Sequence, residues 1–298
     1  MEINEFAQKV CRAVEKELGE AYRAELKEVK KNNGVLLHGL LILPPESNVA
    51  PTIYLETFHA AYEDGVTFRE VLDRILEIFR EETPRESIDM SFFKSFEKVR
   101  DRICYRLINR QSNRELLRTI PYVEFLDLAI CFYYAYSDEM LGEGSILIHN
   151  SHMEHWNIKV KDLMIPAGEN TPRLFPGSVT PMREMLEKML EMEEDVLSGP
   201  DADIPLLVLT NRRRIHGAAC MLYPGMLDRI GRLKKNSFYI IPSSVHEVLI
   251  LEKTGAESTR EIKKIIREVN RQHVSAEEIL SDNLYYYDLS AKTIKIIL

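Results

Sequence analysis

At 298 residues, with 45 % hydrophobic and 29 % charged residues, the chain has enough apolar surface to offset the entropy of ordering, which excludes global disorder. That length allows one large domain or two of ordinary size, because single cores seldom grow beyond it. A formal net charge of −8, with basic residues dispersed along the chain, argues against nucleic acid as a partner.

The N-terminal segment, MEINEFAQKVCRAVEKEL, carries charge throughout, so no signal peptide is expected there. The longest apolar run, Leu128 to Tyr136, is far shorter than a membrane span. A soluble, cytoplasmic protein follows as the expectation. Cys11, Cys104, Cys131 and Cys220 are widely scattered among apolar neighbours, which suits reduced core thiols better than a zinc or redox motif.

In chain order, Ile3, Phe6, Val10, Ala13 and Leu18 recur at helical steps, with Asn4 able to cap. Tyr22, Ala24 and Leu26 alternate before Asn32-Asn33-Gly34, and Val35 to Leu43 is apolar, which predicts a hairpin. A short strand over Thr52 to Leu55 leads to a helix opened by the capping box Thr67-Phe68-Arg69-Glu70 and stopped by Pro84. Asp89 can cap the next helix, whose inner side holds Phe92, Phe93, Phe96 and Val99.

Ile103 to Ile108, Leu126 to Tyr136 and Ser145 to His149 read as strands, followed by a short helix around Trp156. Pro166 to Pro181 holds four prolines and two glycines and reads as an irregular connection. Residues 1–165 would then be an N-terminal α+β region and 182–298 a C-terminal one, or the whole one compact unit. Thr180 and Pro181 open a methionine-rich helix through Met182, Met185, Met189 and Met192, a core stripe or a soft binding surface.

Leu206 to Thr210 and Ala218 to Leu222 read as strands flanking Asn211-Arg212-Arg213-Arg214, then a helix from Gly225 and strands Phe238 to Ile241 and Val245 to Leu251. A helix near Thr259 to Val269, a second capping box at Ser275 to Glu278, and a hairpin of Leu284 to Tyr287 with Thr293 to Leu298 complete the chain. The pattern predicts α+β architecture, mainly antiparallel sheets with flanking helices.

Four constellations could carry chemistry. Ser243, Ser244, His246 and Glu247 put a nucleophile, a base and a carboxylate close together, and would be the catalytic group of a hydrolase. Strand alternation would send His246 and Glu247 to opposite faces, however, and the nucleophile elbow is absent. Serines that turn the chain and a histidine that braces the turn account for the segment equally. His149, His152 and His155 could converge on a transition metal, although a three-residue step is not that of helical metal pairs.

Arg212, Arg213 and Arg214 could hold an anion or an acidic partner through forked hydrogen bonds, or form a solvated loop. Gly217 before Ala218-Ala219 implies close backbone packing. Tyr285-Tyr286-Tyr287 is a stacking platform or a core strand. No phosphate-cradling glycine loop occurs, so no nucleotide cofactor is implied.

Asn33-Gly34-Val35, Leu37-His38-Gly39-Leu40, Pro51-Thr52-Ile53-Tyr54-Leu55 and Phe125-Leu126-Asp127-Leu128-Ala129 together resemble an uncharacterised family common in Gram-positive gut bacteria. His149-Asn150-Ser151-His152, Glu169 to Pro176, Pro242 to Val248 and Leu280-Ser281-Asp282 continue the resemblance over nearly the whole chain. The Ser-Val-His-Glu and Leu-Ser-Asp elements are also similar to the YtpQ-like proteins. Both groups are domains of unknown function, so the resemblance implies no activity and no catalytic residue. The expectation is a non-enzymatic binding or regulatory protein with a protein partner. The alternative is a hydrolase or metal-dependent enzyme on the groups above.

Overall fold

Helix α1 (Ile3–Leu18) forms because its apolar residues fall on one stripe, and it buries Phe6, Ala7, Val10 and Val14 completely. Its cap is Glu2, with no side-chain hydrogen bond; Asn4 lies inside the helix and its Oδ1 meets His38 Nε2 at 3.0 Å instead. The computed structural model describes residues 1–45, 50–83, 91–138, 142–185, 206–253, 255 and 258–297. Pro84, Asp89, Met189 and Met192, named above for their places in helices, lie outside the described residues. Two compact units emerge, Met1–Phe93 with Ser137–Glu143, and Lys94–Tyr136 with Gly144–Leu298.

In the first unit, β1 (Arg23–Lys30) and β2 (Leu36–Leu43) pair antiparallel, joined by Asn33 at φ 58° and Gly34 at φ 75°. Both residues enter the left-handed region cheaply, so the Asn-Asn-Gly turn closes here. Strand β3 (Thr52–Tyr54) extends the sheet, α2 (Glu56–Glu63) follows, and α3 (Phe68–Glu82) starts on the expected capping box. Thr67 accepts from the Glu70 N–H while Glu70 returns to the Thr67 N–H at 2.9 Å. Val71, Leu72, Ile75, Leu76 and Phe79 pack on Phe6, Val10, Leu40 and Ile42 to make one apolar core. Each such side chain contributes about 1.5–3 kcal/mol by leaving water.

The second unit holds two further sheets. After α4 (Phe96–Val99), β4 (Ile103–Asn109) pairs with β6 (Leu128–Asp138), whose other neighbours are β5 (Tyr122–Phe125) and β7 (Gly142–Leu147). Helix α5 (Arg114–Leu117) lies between β4 and β5 in sequence, and α6 (Asn150–Trp156) follows β7. The other sheet has six antiparallel strands in the order β13-β12-β10-β11-β9-β8, from β8 (Gly177–Pro181), β9 (Leu206–Asn211), β10 (Phe238–Ile241), β11 (Val248–Glu252), β12 (Tyr285–Asp288) and β13 (Thr293–Ile296). Helices α8 (Met226–Lys234) and α9 (Thr259–His273) complete an α+β architecture of antiparallel sheets with flanking helices. Among the described residues no helix is long and apolar enough to cross a membrane.

Residues 166–181, expected to be an irregular connection, are instead the second half of α7 (Val160–Leu174) and strand β8. Pro166 and Pro172 sit inside the helix. Each removes one helical hydrogen bond. Polar side chains surround Pro172: Thr171 Oγ1 donates to Ala167 O at 2.6 Å and accepts from the Tyr105 N–H at 3.0 Å, and Asn170 Nδ2 reaches Arg100 O and Ile103 O. These bonds tie the helix to β4. Thr180 and Pro181, expected as helix cap and first turn, pair with Val208 and Leu207 in the sheet. Ala218 to Leu222, expected as a strand, falls in a buried 3₁₀ helix, Gly217–Leu222, because Gly, Ala and Cys are small enough to let the backbone itself pack.

Candidate functional site

Thr210 and Asn211, the last residues of β9, are 7 % and 2 % exposed, and both spend their side chains on loops. Asn211 Nδ2 donates to Ile215 O at 2.7 Å, while its Oδ1 accepts from the Arg213 and Ile215 N–H groups at 3.0 and 3.4 Å. Folding the chain around one amide puts Arg214 at φ 55° and His216 at φ 53°. The left-handed region is costly for such side chains, and strain of this kind collects at functional sites. Thr210 Oγ1 donates to His246 O at 2.7 Å, joining this loop to the one before β11.

His216 is the hub. Its backbone N–H donates to His246 Nδ1 at 3.3 Å, and the two rings stack with centroids 5.9 Å apart and planes 9° from parallel. From β4, the Arg106 Nη1 group donates to His216 Nε2 at 3.3 Å. Burial, then the Arg106 charge, then His246 hold His216 down to about 3, so its imidazole is neutral at physiological pH. An Nε2 that accepts from Arg106 assigns the ring proton to Nδ1. That Nδ1 is buried with no hydrogen-bond partner, and so is Nε of Arg106. Among the described residues no carboxylate pairs with Arg106. The centre therefore holds two buried donors and one positive charge in need of acceptors, with Tyr133 edge-on to His216 at 5.6 Å. Nearby, the Arg213 guanidinium lies 5.4 Å over the Phe175 ring, and Arg212, Arg213 and Arg214 are all exposed.

Of the expected catalytic group, Ser243 to Glu247 form a loop, since β11 begins only at Val248. The opposite-face argument for His246 and Glu247 therefore does not apply. Ser244 Oγ accepts from the His246 N–H at 3.0 Å, and its side chain also bonds Glu247. His246 Nε2 faces Glu278 Oε1 at 3.4 Å. Among the described residues neither serine hydroxyl is bonded to a histidine ring. Ser243 gives its carbonyl to the Leu280 N–H, and Val245 bonds Glu278 O and the Ala218 N–H, so the loop is braced on both sides. Burial raises Glu247, with His246 and Ser244 opposing.

His149, His152 and His155 are held differently. The His149 N–H donates to His152 Nδ1 at 3.0 Å, and the two rings meet edge to face at 5.6 Å. Burial and the neighbouring histidines lower His152. Among the described residues no group of three or more His, Cys, Asp or Glu is arranged to hold a metal ion. Tyr285 and Tyr287 are buried at 0 % and 4 %, whereas Tyr286 lies on the other face against Tyr239.

Asp127 has no counterpart in the sequence reading, where it figures only within a family segment. Its carboxylate accepts from Ser281 Oγ at 2.6 Å, Asn283 Nδ2 at 3.0 Å and the Tyr285 hydroxyl. Asn109 Nδ2, at the end of β4, donates to Leu280 O at 2.9 Å. The Leu-Ser-Asp element is thereby fastened to the β4–β6 sheet. Only the run of polar residues at Ser281-Asp282-Asn283 hinted at such a contact.

The fold and this centre describe an α+β protein with a guanidinium and an imidazole buried short of acceptors. The chain belongs to a family of unknown function, DUF5688, which matches residues 3–289. Comparison with curated proteins finds no match, and comparison with solved structures finds none either.

Proposed function

We propose that this chain is a cytoplasmic, non-enzymatic binding or regulatory protein of bacterial origin, that its C-terminal half is akin to the YtpQ-like proteins, and that it recognises an anionic group, a carboxylate or a phosphate, at Arg106 and His216 beneath the Arg212–Arg214 loop. The observation that carries the reading is the pair of unpartnered donors, Arg106 Nε and His216 Nδ1, on two side chains that touch through Nη1 and Nε2. A buried guanidinium whose charge meets no carboxylate and whose Nε lacks an acceptor is costly, and a bound anion would supply both charge and lone pairs. The exposed arginines of the loop would draw such a ligand in.

The alternative, a hydrolase or metal-dependent enzyme on Ser243, Ser244, His246 and Glu247 or on His149, His152 and His155, has less support. Ser244 Oγ is occupied in bracing its own loop, and the His246 ring in accepting from the His216 N–H of the neighbouring one. The test is thermal unfolding in rising acetate or phosphate. The melting temperature of the wild type should climb with anion concentration and that of Arg106→Met should not. Equal anion dependence in both proteins would remove the reading.

A further inference from the structure

A different part of the second unit carries an unassigned cavity. Arg110, Arg114 and Arg118 recur at four-residue steps just after β4, and the segment is pinned by its own polar residues. Asn109 Oδ1 accepts from the Ser112 N–H at 2.9 Å, Asn113 Nδ2 donates to Asn109 O at 2.8 Å, and Asn113 is only 2 % exposed. The Arg110 N–H donates to Asp127 O, and Asn150 Nδ2 to Arg118 O. The backbone presenting the three guanidinium groups is therefore fixed at both ends.

Those arginines line a cavity of about 300 Å³ together with Gln111, Leu117 and Tyr122. Arg110 is paired with Glu124, and Arg118 with Glu115 at 3.0 Å. Arg114 has no ion-pair partner among the described residues. The lining so combines an uncompensated forked cation, two more cations whose carboxylate partners are exposed and exchangeable, an amide, and an apolar wall of Leu117 and Tyr122.

We propose that this cavity binds a small organic phosphate, a phosphomonoester on a ring-bearing body such as a sugar phosphate or a nucleoside monophosphate. Guanidinium forks match phosphate oxygens in pairs. Tyr122 and Leu117 give the body a face to lie on. The volume is at the small end of ligand pockets, which fits one such molecule. A polyanion is disfavoured by the net charge of −8, which repels it at long range. Neither Arg106 nor His216 lines the cavity, so the inference stands or falls separately from the function proposed above.

The test is calorimetric titration of the full chain with AMP, ribose 5-phosphate, inorganic phosphate and a single-stranded DNA oligonucleotide. The wild type should bind AMP or ribose 5-phosphate more tightly than inorganic phosphate. Arg114→Gln should weaken that binding by about tenfold or more, the loss of one or more charge-assisted hydrogen bonds. Arg114→Lys should recover part of it, and Arg232→Gln, which removes an exposed guanidinium that is paired with Asp228 and does not line the cavity, should change nothing. The proposal is overturned by no binding at millimolar concentration, by binding unchanged in a folded Arg114→Gln, or by the oligonucleotide binding best.

Discussion

Replacing Gly217 with alanine tests whether the two loops of the Arg106–His216 centre approach as closely as described. A Cβ there would lie 2.1 Å from Thr210 Oγ1, 2.3 Å from His246 O and 2.8 Å from Asn211 N. Two of the three atoms are backbone, so rotamer changes cannot relieve the clash. Overpacking costs about 1–3 kcal/mol. Forcing Thr210 and His246 apart also sacrifices their hydrogen bond, worth about 1 kcal/mol net. The total is about 2–4 kcal/mol.

Trp156, the one tryptophan, belongs to the second unit, so its fluorescence reports the unit that contains Gly217. With a urea slope of about 2–3 kcal/mol per molar, the midpoint should fall by about 0.7–2 M at constant slope. Gly168→Ala is the matched control: it lies within α7 with nothing inside 4 Å of the added carbon, and should raise stability by up to about 1 kcal/mol. A Gly217→Ala midpoint within about 0.3 M of the wild type would refute the close approach and the loop geometry built on it.

Asp127→Asn replaces a carboxylate that collects three donors, and should cost about 3–5 kcal/mol in the same fluorescence assay, more than Asp101→Asn on the exposed surface. For His216, whose folded value is held at about 3 against an ordinary 6.5, the unfolded chain takes up a proton between those values and the folded chain does not. Stability should therefore fall as pH drops from about 6.5 towards 3, by an amount of order 5 kcal/mol at the limit. His216→Asn, which tolerates the left-handed backbone, should flatten that slope; an unchanged pH profile would contradict the assignment. Thr67→Ala should remove the capping box and cost the first unit about 1 kcal/mol, read as faster amide exchange in the first turns of α3.

What was legible in the sequence was local. Asn32-Asn33-Gly34 and Thr67 to Glu70 specify their turn and cap within four residues, and the structure builds both as read. The prolines of 166–174 misled because composition alone cannot show that the hydroxyl of Thr171 and the amide of Asn170 will anchor this stretch to Tyr105 and Ile103 of β4. Ala218 to Leu222 misled because short apolar runs do not distinguish a strand from a buried single turn. The site is the least local part. Arg106 meets His216 across 110 positions, and Asp127 meets Tyr285 across 158, so no spacing rule could join them. The Arg212–Arg214 loop was singled out from sequence, but the two orphaned donors lie elsewhere, Arg106 on β4 of the other sheet and His216 two residues past the loop's last arginine.

The most direct test of the central claim is the Arg106 Nε–H resonance itself, followed by nitrogen-15 NMR while acetate or phosphate is added and identified by its loss in Arg106→Met. Binding at this centre predicts that the resonance shifts downfield in a saturable way and exchanges more slowly with water, as the orphaned donor gains an oxygen. A resonance that stays in place across the titration, in a protein that remains folded, would contradict it.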